Sequence, residues 1–322
     1  MVETSPSWTE VREMDDRVVV GYDTSAESVA AVRWAASQAA TRGWSLDVVH
    51  VWGFAGQEGG GAGESWLGRE VQAQVRQVAE EGAQIAAEAA PGADVRAVVR
   101  HGPPARVLVD EAADARLVVV GRRGAGLVNA LVGSAATGVL HRARCPVVVV
   151  PAGARAGASR DPVLVGFDGS PESFRALEAG CDQATHLGTD VCVVTAWTAA
   201  VDTAGPAYWA LTYPQRSPAE VALEEAERVL ERGRSWAASR RDVEVTFDLA
   251  EGRPAQALVR RSRHASLLVV GTRGRGGLAS LVLGSTSRPV VQRAECPVLV
   301  TRSAEAVPEQ DPPRPERATA SA

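Results

Sequence analysis

Lysine does not occur in this chain of 322 residues, and all 34 of its basic residues are arginine. That absence removes whole chemistries. A phosphate loop ending in Gly-Lys-Ser/Thr, the strand lysine of protein kinases and the Schiff-base amine of pyridoxal or aldolase catalysis all need an ammonium that is not there. Cysteine is scarce as well. Cys145, Cys181, Cys192 and Cys296 follow no CxxC or zinc spacing and stand in or beside apolar segments, which predicts reduced, mostly buried thiols and a cytoplasmic location. No apolar run approaches the roughly 20 residues needed to cross a bilayer, and the opening MVETSPSWTEVREMDD is polar and acidic rather than signal-like. His50, His101, His141, His186 and His264 share no metal-ligand spacing, so no metal site is expected. With a net charge of −5 and arginines scattered rather than striped, neither nucleic acid nor membrane is an expected partner.

What the chain does contain is a repeat. Residues 116–150, RLVVVGRRGAGLVNALVGSAATGVLHRARCPVVVV, recur as 266–301, SLLVVGTRGRGGLASLVLGSTSRPVVQRAECPVLVT. Asp23 matches Asp168 at an offset of 145, Gly102 and Gly121 match Gly252 and Gly271 at 150, and Cys145 matches Cys296 at 151. One residue is therefore missing from the first copy between Gly124 and Gly133. A period of about 150 residues is the size of a small domain, not of a solenoid unit.

Each copy reads as an alternation of strands and helices. Arg17–Gly21 and Pro162–Gly166 are short β-branched runs that suit strands buried on both faces of a parallel sheet. Ser25 and Ser170 then cap helices with an acid in the first turn, and Gly43 and Gly188 suit the left-handed position past the helix ends. Second strands at 46–52 and 191–197 lead into long loops, 53–68 and 198–217, of the kind that act as lids. Helices 69–90 and 219–238, strands 94–100 and 243–250, helices from Pro104 and Pro254, strands 116–120 and 266–270, and last strands 146–150 and 297–301 complete the order β-α-β-α-β-α-β-α-β. Right-handed crossovers wind that order into a parallel sheet with helices on both faces.

Ligands of such sheets bind beyond the carboxyl ends of the strands, and the glycine loops fall there. In the first half Gly121-Arg-Arg-Gly124 is followed by eight residues and then Gly133-Ser134 opening a helix; in the second, Gly271-Thr-Arg-Gly274 is followed by nine and then Gly284-Ser285 opening a helix. Glycines let backbone amides approach an anion, and a helix start presents unpaired N–H donors, so each loop suits a polyphosphate. Ser134 and Ser285 add hydroxyls able to touch phosphate or its Mg²⁺. Arg122, Arg123, Arg273 and Arg275 fit a phosphate fork and a solvated basic turn equally well. No GxGxxG follows either first strand, where the chain reads GYDTS and GFDGS, and that excludes the dinucleotide fingerprint. His50, at a strand end, reads as a packing residue because its counterpart is Thr195.

The V-G-x-D-x-S start, the G-x-x-G, nine residues, G-[S/T] loop and the closing C-P-V strand resemble the universal stress protein family, over roughly 17–151 and 162–302. The resemblance implies two tandem doubly wound α/β domains, each a five-stranded parallel sheet of order 3-2-1-4-5, and a Rossmann-like site for an adenine nucleotide. The implied ligand is ATP, with Mg²⁺ as an optional companion. Carried over by position, Asp168 meets the ribose, Ala196 the adenine, and Val270, Gly271, Gly274, Gly284, Ser285 and Thr286 the phosphates. The first half offers Asp23, Val51, Val120, Gly121, Gly124, Gly133, Ser134 and Ala135, but its loop is one residue short, which favours the second site.

The expected organisation is an N-terminal extension 1–16, a domain 17–151, a linker 152–161, a domain 162–302 and a Pro-rich, charged, disordered tail 303–322. The resemblance further implies that the halves pair through their last strands, with a further homodimer and a regulatory protein as partners still open. It points to a non-enzymatic, nucleotide-binding protein of the stress response. Two alternatives stay open: a slow ATPase on the same fold, and an interaction module that has lost its ligand in at least one half.

Overall fold

The computed structural model describes residues 14–53, 69–124, 132–154, 160–199, 215–240, 242–274 and 283–302. The extension before Met14, most of the expected lids 53–68 and 198–217, the middle of the linker, Arg275 and the expected disordered tail 303–322 lie outside the described residues. The first half runs β1 (Asp15–Gly21), α1 (Ala26–Arg42), β2 (Ser45–Trp52), α2 (Arg69–Ala89), β3 (Val95–His101), α3 (Pro104–Glu111), β4 (Ala115–Gly121), α4 (Ser134–Arg142) and β5 (Val147–Val150). The second repeats the order: β6 (Val163–Gly166), α5 (Pro171–Leu187), β7 (Val191–Trp197), α6 (Pro218–Ala237), β8 (Val245–Glu251), α7 (Pro254–Arg261), β9 (Leu267–Gly271), α8 (Ser287–Arg293) and β10 (Val298–Thr301).

Each half forms a parallel five-stranded sheet, and the two join edge to edge into one ten-stranded sheet of order β3-β2-β1-β4-β5-β10-β9-β6-β7-β8. The join is the antiparallel pairing of β5 with β10, where Val147, Val148 and Val149 face Val300, Leu299 and Val298. Pairing the two last strands satisfies the backbone of two edges that would otherwise be open to strand addition. Because side chains alternate along a strand, the valine runs feed two cores. Val18, Val20, Val163 and Val165 point to the face covered by α1, α2, α5 and α6, while Val19, Val118, Leu164 and Leu268 point to the face covered by α3, α4, α7 and α8. Both cores cross the junction without interruption, so the halves share their hydrophobic interior.

The expected caps form. Ser25 and Ser170 accept from the backbone N–H of Ser28 and Ser173. Gly43 and Gly188 end α1 and α5 at φ 67° and 63°, a conformation a Cβ would penalise. One expected start moves. In the first half Ser134 begins α4, but the second-half helix begins at Ser287 rather than Ser285. The cause is Pro289, which stands where the first half has Gly138 and has no N–H to donate to the carbonyl of Ser285. Helical bonding is continuous only from Val290, whose N–H reaches Thr286 O at 3.2 Å.

All four cysteines are reduced, three buried and Cys192 half-buried. Burial raises the thiol pKa of Cys145 and Cys181 to about 11 and of Cys296 to about 12, which makes them poor nucleophiles. No described helix is long and apolar enough to cross a membrane.

Candidate functional site: two clefts at the strand ends

In the order 3-2-1-4-5 the crossovers from β1 and β4 leave in opposite directions, and a crevice opens above the carboxyl ends of these two strands. A cavity of about 190 Å³ occupies that crevice in the first half, and one of about 330 Å³ occupies the matching crevice between β6 and β9 in the second. The structure brings together every cleft residue singled out in the sequence. Asp168, Ala196 and the loop residues Val270, Gly271, Gly274, Gly284, Ser285 and Thr286 all line the second cavity. Asp23, Val51 and the loop residues Val120, Gly121, Gly124, Gly133, Ser134 and Ala135 all line the first.

The acid is held the same way in both halves. Oδ1 of Asp168 accepts from Ser170 N at 3.0 Å and Ser170 Oγ at 2.6 Å; Oδ1 of Asp23 accepts from Ser25 N at 3.1 Å and Ser25 Oγ at 2.5 Å. The serine that caps the helix thus also orients the carboxylate. Its Oδ2 is turned toward the glycine loop, where a Cβ on Gly274 would overlap Asp168 and a Cβ on Gly124 would lie 2.5 Å from Asp23. Only glycine leaves that approach unobstructed. The loop is closed by a backbone bond across its two arms, Gly133 N to Arg122 O and Gly284 N to Thr272 O, both at 2.8 Å. Gly121 and Gly271 rest on the first turn of α1 and α5, where a Cβ would come within 2.9 Å and 2.8 Å of Glu27 and Glu172.

The opposite wall is apolar. Val49, Val51, Leu108 and Val120 in the first half correspond to Val194, Ala196, Leu258 and Val270 in the second. Motif and resemblance reach Val51, Ala196, Val120 and Val270 but miss the other four. The repeat itself carries the signal for them, since Val49 and Val194 are related by 145 and Leu108 and Leu258 by 150. An apolar slot with a polar, glycine-lined mouth is the usual form of a small-molecule site, and the cavity of about 330 Å³ falls within the common range of about 300–1,000 Å³ while that of about 190 Å³ falls below it.

Two of the loop arginines have partners within the protein. Arg122 is half-buried, and its Nη1 donates to Gln292 O at 3.2 Å and Ala294 O at 2.9 Å at the end of α8. It stitches one half to the other at a helix terminus that favours a cation. Arg123 lines the first cavity and pairs with Glu27, Nε and Nη2 each 2.8 Å from Oε1. Arg273 lines the second cavity. His50 bonds rather than merely packs. Its Nδ1 lies 2.9 Å from Tyr22 O, and since a carbonyl only accepts, the proton sits on Nδ1. Thr195 Oγ1 donates to Phe167 O at 2.9 Å. Two different residue types therefore tie β2 and β7 to the turn that carries the site acid.

A doubly wound sheet with a crevice at each switch point, the second within the common size range of ligand sites, defines a tandem α/β protein. Sequence comparison gives the family: the universal stress protein family matches residues 14–151 and 159–302. A universal stress protein of Mycolicibacterium smegmatis is 36% identical over 300 residues, covering 88% of this chain and 96% of the relative. A universal stress protein of Mycobacterium tuberculosis is 36% identical over 298 residues, with the same shares. The chain belongs to the universal stress protein family. In architecture it is similar to the crystal structure of a universal stress protein from Archaeoglobus fulgidus, with a TM-score of 0.62 at 23% identity over 89% of this chain and 97% of that one.

Proposed function

We propose that the chain binds an adenine nucleotide, ATP in the first instance, in the second-half cleft, and that binding regulates the protein's conformation or its docking to a partner in the stress response. The observation that carries this reading is the joint placement, around one cavity of about 330 Å³, of an oriented carboxylate, an apolar slot and a glycine loop. Asp168 would accept the ribose hydroxyls. Ala196 and Leu258 would flank the base. The backbone of Gly271, Gly274 and Gly284 would take the phosphates, with Ser285 and Thr286 adding hydroxyls to the phosphates or to their Mg²⁺. The first cleft repeats the arrangement in a smaller volume through Asp23, Val51, Gly121, Gly124, Gly133 and Ser134.

In this reading the nucleotide is a ligand rather than a substrate. The second loop, from Gly271 to Ser285, contains arginines but no carboxylate, histidine or glutamine to orient water against a phosphate. The test is to denature freshly purified protein and identify the released small molecules by mass spectrometry. The reading expects an adenine nucleotide at close to one equivalent per chain. Protein that releases none, and that takes up none of AMP, ADP or ATP on titration, would contradict it.

A further inference from the structure

One side chain of the first half reaches the helix that follows the glycine loop of the second. The backbone of Arg122 belongs to the first loop, where its carbonyl accepts from Gly133 N at 2.8 Å. Its side chain leaves that loop. Nη1 crosses the junction and donates to Gln292 O at 3.2 Å and Ala294 O at 2.9 Å, at the far end of α8. The matching residue of the second loop, offset by 150, is Thr272, so the repeat does not return the same contact.

The helix so held is seven residues long, or about 10 Å, and Gly284, Ser285 and Thr286, which line the second cavity, run directly into it. A shift of this short element therefore moves those three residues. Its near end is fastened within the second half, where Ser287 Oγ and Gly284 N both donate to Thr272 O, at 3.0 and 2.8 Å. Pro289 leaves a gap in the helical bonding just beyond, having no N–H for the carbonyl of Ser285. Val290 and Val291 are buried in the core and keep the helix on the sheet, but apolar packing is non-directional and resists sliding or rotation weakly. The two charge-assisted hydrogen bonds from Arg122 are directional and oppose both motions at the far end.

We propose that Arg122 is a positioning residue of the second cleft: by holding the far end of α8 it fixes Gly284, Ser285 and Thr286 for phosphate, so that tight nucleotide binding in the second half requires a side chain from the first. The proposal rests on the nucleotide reading above. It gives the junction between the halves a role in binding beyond the pairing of β5 with β10, since the second cleft is complete only when the first half is docked.

The test uses the full chain and calorimetric titration with Mg-ATP, with adenosine as the ligand that has no phosphate. Arg122→Met keeps an apolar stem but donates nothing, and Arg122→Gln keeps a donor too short for the reach. Each should bind ATP at least about fivefold more weakly than wild type, with adenosine affinity unchanged, because ribose and base meet Asp168 and the apolar wall instead. Arg122→Lys still brings a cation to the carbonyls and should recover most of the loss. Hydrogen exchange locates the effect: ATP should protect the amides of 284–294 in wild type and protect them less in Arg122→Met. Unchanged ATP affinity in both truncated variants would overturn the proposal. So would an equal loss for adenosine, which would mark general damage, or a change in protection confined to the first loop, which would mark a local effect there. Wild type and variants that bind ATP equally defeat this proposal and spare the nucleotide reading, whereas no binding in any chain defeats both.

Discussion

Gly274 stands against the carboxylate of Asp168 so closely that a Cβ at that position would overlap Oδ2, and Gly124 repeats the contact with Asp23. The glycine loop and the acid turn of each half are therefore one unit, built from segments about 100 residues apart. Even Gly274→Ala must push Asp168 off the position set by Ser170. The expected result is a loss of at least tenfold in nucleotide affinity at the second cleft with only a few degrees' change in melting temperature, since Gly274 is exposed. Parallel calorimetric and thermal titrations check both parts.

Thr24 follows Asp23 with φ 67°, whereas its counterpart Gly169 has φ 75°. The turn that presents the acid demands the left-handed region in both halves, and a β-branched residue meets that demand only at a cost. Thr24→Gly should stabilise the protein by about 1 kcal/mol, after allowing for the greater freedom of glycine in the unfolded chain. Urea midpoints measure this, and the reciprocal Gly169→Thr should shift them the other way.

Burial holds the thiols of Cys145 and Cys181 at about 11 and that of Cys296 at about 12, against an ordinary 9.0. Burial, reinforced by the bond to Glu81, holds the Tyr22 phenol at about 12 against 10.0. Each group binds its proton more tightly when folded, so the stability it contributes is complete below the unfolded value and is lost as pH rises toward the folded one. Urea midpoints should therefore fall steadily above pH about 9. A Cys145→Ala, Cys296→Ala double variant should show a shallower fall, whatever its stability at neutral pH; an unchanged slope would contradict the assignment.

The succession of strands and helices and the two glycine loops are legible in the sequence because they rest on local signals, β-branched runs that end in glycine, serine caps and a repeat that doubles every motif, whereas the strand order and the choice of the sixteen cleft residues come from the family resemblance. What is not legible depends on side chains meeting across the fold. Nothing near Arg122 in sequence announces that it reaches carbonyls of α8 some 170 residues away, and nothing near Arg123 announces Glu27. Placing the second-half helix start requires weighing Pro289 against the pattern set by Gly138. His50 and Thr195 look unrelated because their shared property is a hydrogen bond to a carbonyl, which chemical class alone does not reveal.

Hydrolysis needs a group that orients water and a cation able to stabilise the transition state, the latter worth roughly 10³–10⁵ in rate in well-studied GTPases. With no carboxylate, histidine or glutamine between Gly271 and Ser285 to orient water, phosphate release from Mg-ATP should stay below about one turnover per hour, far under ordinary enzymatic rates. Sustained turnover of several per minute that disappears in Gly284→Val would show that the slow-ATPase alternative is the correct one.

The most direct measurement is a calorimetric titration of the full chain with ATP beside the Gly284→Val variant. A Cβ at Gly284 would lie 3.5 Å or more from Arg273, Thr272 and Ser287, ordinary contact distances, and the position is only half-buried, so the variant is expected to fold and to melt close to wild type. The expected result is one tightly bound ATP in wild type and none in the variant at unchanged melting temperature. Equal binding by the two proteins would contradict the phosphate cradle, and with it the assignment of the second cleft as the nucleotide site.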